Sequence, residues 1–88
     1  MYFVYIIKNQ YEKLYIGITQ NIKQRLRHHN TKQGAQFTKS KSKFYLALSE
    51  QYNTLAEARK REIQIKKWRR DKKEMLVEKF QKSLQTKL

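Results

Sequence analysis

The chain has 88 residues, no cysteine, and 21 lysines and arginines against 7 aspartates and glutamates, which gives a formal net charge of +14. These values exclude disulfide bonds and cysteine-based zinc sites, and they predict one small domain whose partner is a polyanion. Because the longest apolar runs are only strand-sized and no signal peptide precedes them, we expect a cytoplasmic protein with no membrane partner.

Two apolar runs near the N-terminus predict a β-hairpin. Residues 2–8 and 13–19 are rich in β-branched and aromatic side chains, and the polar residues 9–12 separate them. The second run alternates, so that one face is apolar and the other carries Tyr15 beside Gly17. A glycine inside a strand weakens the sheet unless something approaches closely, and either a substrate backbone or a packed helix would fill this space.

A helix is predicted after the hairpin, with Asn21 as its N-cap and its end near residue 30. On this helix Arg25 and His29 are four residues apart, so they share one stripe beside the apolar stripe. Residues 31–43 are small, polar and basic, which predicts a loop.

One strand and two helices are predicted in the C-terminal half. Residues 44–52 alternate between apolar and other side chains, as a strand does. Thr54 and Glu57 have the spacing of a capping box, which predicts the start of a second helix. Asp71 and Glu74 repeat that spacing, and we expect them to cap a third helix.

Glu62 stands out among the acidic residues because helical spacing places it within the apolar face of the second helix. Partial burial of a carboxylate is costly unless a cation or a metal compensates it. A structural ion pair with an arginine or lysine would do so. A divalent metal would do so as well, since one carboxylate with phosphate oxygens and waters is an ordinary Mg²⁺ environment.

The hairpin and first helix bring together two phenols, a guanidinium and an imidazole, which are the parts of a site that cleaves phosphodiesters. Each residue also has a plain structural interpretation. Tyr5 and Tyr15 fit as ordinary strand aromatics. His29 fits as a surface helix residue, and Arg25 as a simple phosphate contact.

These residues resemble the GIY-YIG nuclease superfamily, and in particular its small stand-alone bacterial members (UPF0213-like). Tyr5 ends the first tripeptide, which here is Phe-Val-Tyr instead of Gly-Ile-Tyr, and residues 15–17 reproduce the second. Three further residues match the helix arginine, the following histidine and the metal-binding glutamate of the family: Arg25, His29 and Glu62. The stretches YIGITQNIKQRLRHHN, GAQFT and EIQIKKWRRDKKEMLV extend the likeness over about residues 2–78.

The resemblance implies an α/β (α+β) fold with a small central three-stranded antiparallel sheet flanked by about three helices, in the order β-β-α-β-α-α. We expect this single domain to span residues 1–82 and residues 83–88 to form a frayed tail.

The resemblance also implies a metal-dependent endonuclease that hydrolyses DNA phosphodiester bonds with one Mg²⁺ or Mn²⁺ held by Glu62. Tyr5 would help to deprotonate the attacking water, and Tyr15 and His29 would belong to its hydrogen-bond network. Arg25 would bind the phosphate. A phenol is a poor base at neutral pH, so this role requires positive charge from the metal, Arg25 or His29 to lower the pKa of Tyr5.

Further residues are expected to contact nucleic acid, either through matching family positions or through their charge. They are Gly17, Asn30, Thr38, Lys39, Lys41, Lys66, Lys67, Arg69 and Arg70. Trp68 fits either a stacked base or a packing role. No small-molecule cofactor is implied, and a monomer is favoured. Two alternatives stay open: a non-catalytic nucleic-acid-binding domain of the same fold, and a structural protein that uses charge alone.

Overall fold

Three strands form one antiparallel sheet with the first strand in its centre. In the computed structural model, which describes residues 1–36 and 43–82, the strands are β1 (Tyr2–Lys8), β2 (Leu14–Thr19) and β3 (Tyr45–Tyr52). β1 pairs with both of the others, in the order β2-β1-β3. Both faces of β1 are covered, and the residues from Val4 to Ile7 are all buried. This explains why β1 is apolar throughout its centre, without alternation.

The helices lie on both faces of the sheet. They are α1 (Ile22–Gln36), α2 (Leu55–Lys66) and α3 (Arg70–Gln81). Their order and the three-stranded antiparallel sheet confirm the predicted α+β fold. No helix in the described part of the chain is both long and apolar enough to cross a bilayer.

The sheet separates two apolar cores. The larger core lies beneath α2 and α3 and contains Val4, Ile6, Ala47, Leu48, Ala58, Ile65, Leu76 and Val77. The smaller core lies beneath α1 and contains Tyr5, Ile7 and Phe44, with Leu26 and Leu46 packed against them. Alternate residues of β1 therefore serve different cores, and Tyr5 belongs to the smaller one.

The first helix is longer than predicted. It continues to Gln36, past the expected end near residue 30, so the interpretation of residues 31–36 as loop was wrong. This stretch has no proline, and lysine, glutamine and alanine favour helix enough to absorb the cost of about 1 kcal/mol for one glycine. Of the rest of that predicted loop, residues 37–42 lie outside the described residues, and residue 43 is neither helix nor strand.

The predicted capping of α2 is confirmed. The Thr54 hydroxyl accepts a hydrogen bond from the backbone N–H of Glu57 at 3.2 Å. The Glu57 carboxylate accepts a bond from the same hydroxyl at 3.1 Å. This second bond replaces the one to the cap's own backbone that a full capping box has.

The predicted capping of α3 is wrong. Its N-cap is Arg69, which makes no side-chain capping bond. The helix already begins at Arg70, so Asp71 lies inside the first turn, where its charge still favours the helix dipole. Glu74 instead forms ion pairs with Lys8 at 3.1 Å and with Arg70 at 2.9 Å.

These ion pairs join the hairpin to α3. Lys8 also pairs with Glu12 at 2.8 Å, and Glu12 lies in the hairpin turn with a left-handed φ of 65°. Burial alone would raise the pKa of Glu74, but the hydrogen bonds and charges of Lys8 and Arg70 outweigh it, so the pKa is lowered.

A buried carboxylate joins β3 to α2. The Glu50 side chain is 1% exposed, and Arg61 donates to both of its oxygens, at 2.9 and 3.1 Å. The Tyr52 hydroxyl donates to the same carboxylate at 3.0 Å. Burial, together with Glu50, raises the pKa of Tyr52 to about 12, so it remains a neutral donor. A glutamate in phase with the apolar Leu46 and Leu48 was the sequence signal for this pair.

Arg61→Ala should lower the free energy of unfolding by about 3 kcal/mol, because it leaves the buried charge of Glu50 without its ionic partner. Urea unfolding at neutral pH measures this loss. Arg59→Ala removes the same charge from an exposed position of α2 and should cost less than about 0.5 kcal/mol. Equal losses in the two variants would contradict a stabilising Glu50–Arg61 pair.

Glu74→Gln should destabilise the protein at neutral pH and progressively less as the pH falls. Because the folded pKa is lowered, the ionised group stabilises the fold above its unfolded pKa, and this contribution disappears as the pH falls through the folded pKa. Urea unfolding from neutral pH down to about pH 3 measures the difference from wild type. Glu78→Gln loses an exposed pair with Lys82 and should depend less on pH. A pH-independent cost of Glu74→Gln would refute this link.

Candidate active site

Tyr5 lies directly against the backbone of Gly17. The two residues are cross-strand partners of β1 and β2. A Cβ atom added to Gly17 would meet the Tyr5 Oη at 2.6 Å and its Cζ at 2.8 Å. The close approach expected at Gly17 is therefore made by the phenol ring of Tyr5, which fills the space assigned above to a substrate backbone or a helix.

Tyr5 also reaches across to α1. Its Oη lies 3.3 Å from Nε2 of His29, and the two rings meet edge to face with their centroids 6.3 Å apart. The phenol donates this hydrogen bond when Nε2 carries no proton and accepts it when Nε2 is protonated. The predicted pairing of sheet tyrosine and helix histidine thus forms a contact in the structure.

Four rings form an aromatic cluster: Tyr5, Tyr15, His29 and Phe44. Phe44 is buried and meets Tyr15 edge to face at a centroid distance of 5.2 Å. His29 lies 6.0 Å from Phe44 and 6.1 Å from Tyr15. Tyr15 is 42% exposed, so the cluster opens to solvent at this ring.

Arg25 lies one helical turn before His29 on α1 and is exposed. It borders a shallow depression of about 350 Å³ together with Thr19, Gln24 and His28. Its charge acts on the Tyr5 phenol, where it lowers the pKa. Arg25 can therefore contact an anionic ligand in solvent while still influencing the buried tyrosine.

Glu62 is partly buried, as its position on α2 predicted, with 17% of its side chain exposed. It forms an ion pair with Lys66 at 3.2 Å, so the structural alternative for this residue is present in the fold. Its negative charge raises the pKa of Tyr5, which places Glu62 within electrostatic range of the phenol. The charges of Glu62 and Arg25 thus both act on the Tyr5 phenol.

The protein's own groups keep Tyr5 protonated. Burial raises the pKa of Tyr5, the charge of Arg25 lowers it, and the charge of Glu62 raises it, so that the pKa lies above its ordinary value. Arg25 therefore does not by itself provide the lowered pKa that a tyrosinate base needs.

Several residues expected to contact nucleic acid make intramolecular contacts. Asn30 accepts a bond from the Phe44 N–H at 2.7 Å and donates one to the Phe44 carbonyl at 3.1 Å. Lys66 pairs with Glu62, and Arg70 pairs with Glu74. These charges are partly offset inside the protein.

The remaining expected nucleic-acid contacts have different environments. Lys67 and Arg69 are exposed in the short connection between α2 and α3. Trp68 between them is half-buried, with the cations of Arg61 and Lys72 at 5.2 and 4.4 Å from its ring, which favours the packing role. Three residues lie outside the described part of the chain: Thr38, Lys39 and Lys41.

Sequence reasoning missed Phe44 as a member of the site and missed the structural role of Asn30. A signal for Phe44 was available, because an aromatic residue at the start of a strand beside a predicted tyrosine face favours ring contacts. The partner of Asn30 depends on how α1 is oriented over the sheet, which no local pattern reports.

The chain is similar to known proteins over most of its length. The family model of the GIY-YIG catalytic domain matches residues 1–75. UPF0213 proteins of Staphylococcus aureus strains Mu50 and N315 are 41% identical over 76 residues, which cover 86% of this chain and 93% of each relative. A UPF0213 protein from Bacillus halodurans, solved by solution NMR, is 30% identical, with a TM-score of 0.57 and coverage of 89% of this chain and 84% of that one.

Gly17→Ala should destabilise the protein by about 1–3 kcal/mol, because the new methyl group overlaps the buried Tyr5 ring. The φ of Gly17 is not positive, so without this overlap alanine would stabilise the strand by about 0.5–1 kcal/mol. The sign of the change in the free energy of unfolding, measured in urea, therefore tests the contact. The cost should shrink in a Tyr5→Phe background, where the nearest atom is gone. A stabilising Gly17→Ala would disprove the contact.

Proposed function

The chain belongs to the GIY-YIG catalytic domain family, and from this premise we propose that it is a metal-dependent endonuclease that hydrolyses DNA phosphodiester bonds. The observation that carries the proposal is that an imidazole, a guanidinium and a carboxylate all act on the phenol of Tyr5. The Tyr5 Oη contacts His29, and the charges of Arg25 and Glu62 act on it in opposite directions.

The donor set suits one divalent ion at Glu62. This carboxylate is partly buried, and an incoming cation can displace the exposed Lys66 from it. Among residues 1–36 and 43–82, no three acidic, histidine or cysteine side chains form a group that could hold a metal. Phosphate oxygens and waters would complete the ligand set, which Mg²⁺ and Mn²⁺ accept. When bound, such an ion supplies positive charge that polarises the scissile phosphate.

Arg25 supplies the phosphate contact in this proposal. Its guanidinium is exposed beside the depression on α1, where it can form two parallel hydrogen bonds to phosphate oxygens. It would also stabilise the negative charge that develops on the phosphate in the transition state.

Tyr5 and His29 supply the proton path. The phenol keeps its proton at neutral pH, so it can accept a proton from water only while it passes its own to an acceptor. His29 Nε2, 3.3 Å away, is that acceptor when its Nε2 is unprotonated. Tyr15 packs beside the imidazole and helps to orient it. Water thus loses a proton and His29 gains one, without a free tyrosinate.

A non-catalytic nucleic-acid-binding domain is the second candidate, and the raised pKa of Tyr5 favours it. With a net charge of +14, the chain binds polyanions whether or not it cleaves them. In this case Arg25 and the exposed Lys67 and Arg69 would act as backbone contacts alone.

Cleavage of supercoiled, linear, single-stranded and branched DNA with Mg²⁺ or Mn²⁺ tests the proposal. Glu62→Gln and Tyr5→Phe should each lower the rate by about 100-fold or more, because each removes one part of the reacting site. Chelation of the metal by EDTA should abolish cleavage.

Matched variants separate chemistry from charge and folding. Glu78→Gln removes another helical glutamate that pairs with a lysine, and Tyr52→Phe removes another hydrogen-bonded sheet phenol. Both should retain wild-type rates. If Glu62→Gln and Tyr5→Phe cleave as well as these controls, the nuclease proposal fails. Binding without cleavage by the wild type and every variant would support the second candidate. Binding that weakens with salt and is unchanged by Glu62→Gln and Tyr5→Phe would indicate a charge-only protein.

A further inference from the structure

We propose that Asn30 is a positioning residue for the active site, which it arranges through the backbone of Phe44. The proposal rests on the proposed nuclease function for its effect on turnover. Its structural part concerns the aromatic cluster and stands independently of cleavage.

The side-chain carboxamide of Asn30 forms hydrogen bonds to both backbone groups of Phe44, as a residue of a neighbouring strand would. Its Oδ1 accepts from the Phe44 N–H at 2.7 Å, and its Nδ2 donates to the Phe44 carbonyl at 3.1 Å. Phe44 immediately precedes β3, so these bonds satisfy both backbone groups at the start of the strand. The two bonds also fix the direction of the backbone that carries the Phe44 ring.

Phe44 in turn contacts two rings of the site. Its buried side chain lies against Tyr15 at 5.2 Å and against His29 at 6.0 Å, both as centroid distances. Asn30 follows His29 directly on α1, so the same helical turn carries the imidazole and the group that holds Phe44. A change at Asn30 can therefore move His29 in two ways: through the α1 backbone that they share, and through the Phe44 ring.

The Asn30–Phe44 bonds also tie α1 to the sheet. α1 covers the smaller core, which has only three buried side chains among the described residues: Tyr5, Ile7 and Phe44. Apolar packing in this layer is limited, and the paired hydrogen bonds add a directional constraint that apolar contacts lack. The orientation of α1 sets where His29 meets the Tyr5 Oη.

Asn30→Ala should lower kcat by about 10- to 100-fold, because small displacements of reacting groups are costly, while the affinity for uncleaved DNA in EDTA should change by less than about twofold. The matched control is Asn9→Ala. Asn9 is buried, and like Asn30 its side chain makes two bonds to the backbone, here to the N–H groups of Tyr11 and Lys13, both at 2.9 Å. Asn9 lies in the hairpin turn and outside the aromatic cluster, so Asn9→Ala should lose stability and retain kcat.

NMR of the same proteins gives a readout that does not require cleavage. Contacts between the Phe44 ring and the rings of Tyr15 and His29 should weaken in Asn30→Ala and persist in Asn9→Ala. If Asn30→Ala does not fold, Asn30→Asp, which keeps the bond from the Phe44 N–H, should show the same changes to a smaller extent.

Each result bears on the proposal. Unchanged ring contacts in Asn30→Ala, or equal losses of kcat in Asn30→Ala and Asn9→Ala at a temperature where both are folded, would overturn it. If the wild type does not cleave DNA but Asn30→Ala loses the ring contacts, the nuclease function fails while the positioning of the cluster is supported. Loss of DNA affinity in Asn30→Ala with kcat unchanged would make Asn30 a binding residue and overturn the proposal.

Discussion

The contact between the Tyr5 ring and the backbone of Gly17 is the constraint on which the rest of the site depends. It holds a phenol inside a sheet, against a position with no side chain, and so directs the hydroxyl toward α1. Because β1 is the central strand and both of its faces are covered, the buried phenol cannot move without disturbing the core around it. The position of the hydroxyl is therefore set by the fold before any ligand arrives.

Electrostatic roles divide the acidic residues of this basic protein. Arg61 binds both oxygens of Glu50, and two cations, Lys8 and Arg70, bind Glu74. Each glutamate thereby joins two elements of the fold. Glu62 pairs with the exposed Lys66, and its charge acts on the Tyr5 phenol. Glu50 and Glu74 thus join elements of the fold, and Glu62 is the acid for which we propose a role at the reacting groups.

Local sequence patterns predicted most of the fold, because the hairpin, the third strand and the Thr54 cap depend on neighbours in the chain. They also placed Tyr5, Arg25, His29 and Glu62 on the correct elements. They did not predict the length of α1, because one glycine in an otherwise favourable stretch resembles a helix end. Nor did they predict the bonds of Asn30, because its partner comes from another layer, and the orientation of a helix over a sheet depends on the whole core.

The central place of β1 has a consequence for the order in which the chain folds. β1 is synthesised before the other described elements, yet one of its two neighbours, β3, begins only at Tyr45. Until then β1 and β2 form a two-stranded ribbon, which is marginally stable alone in water. Tyr5 packs with Phe44 and comes within electrostatic range of Glu62 only when such distant segments associate. Partly synthesised chains therefore carry a net positive charge without an assembled site.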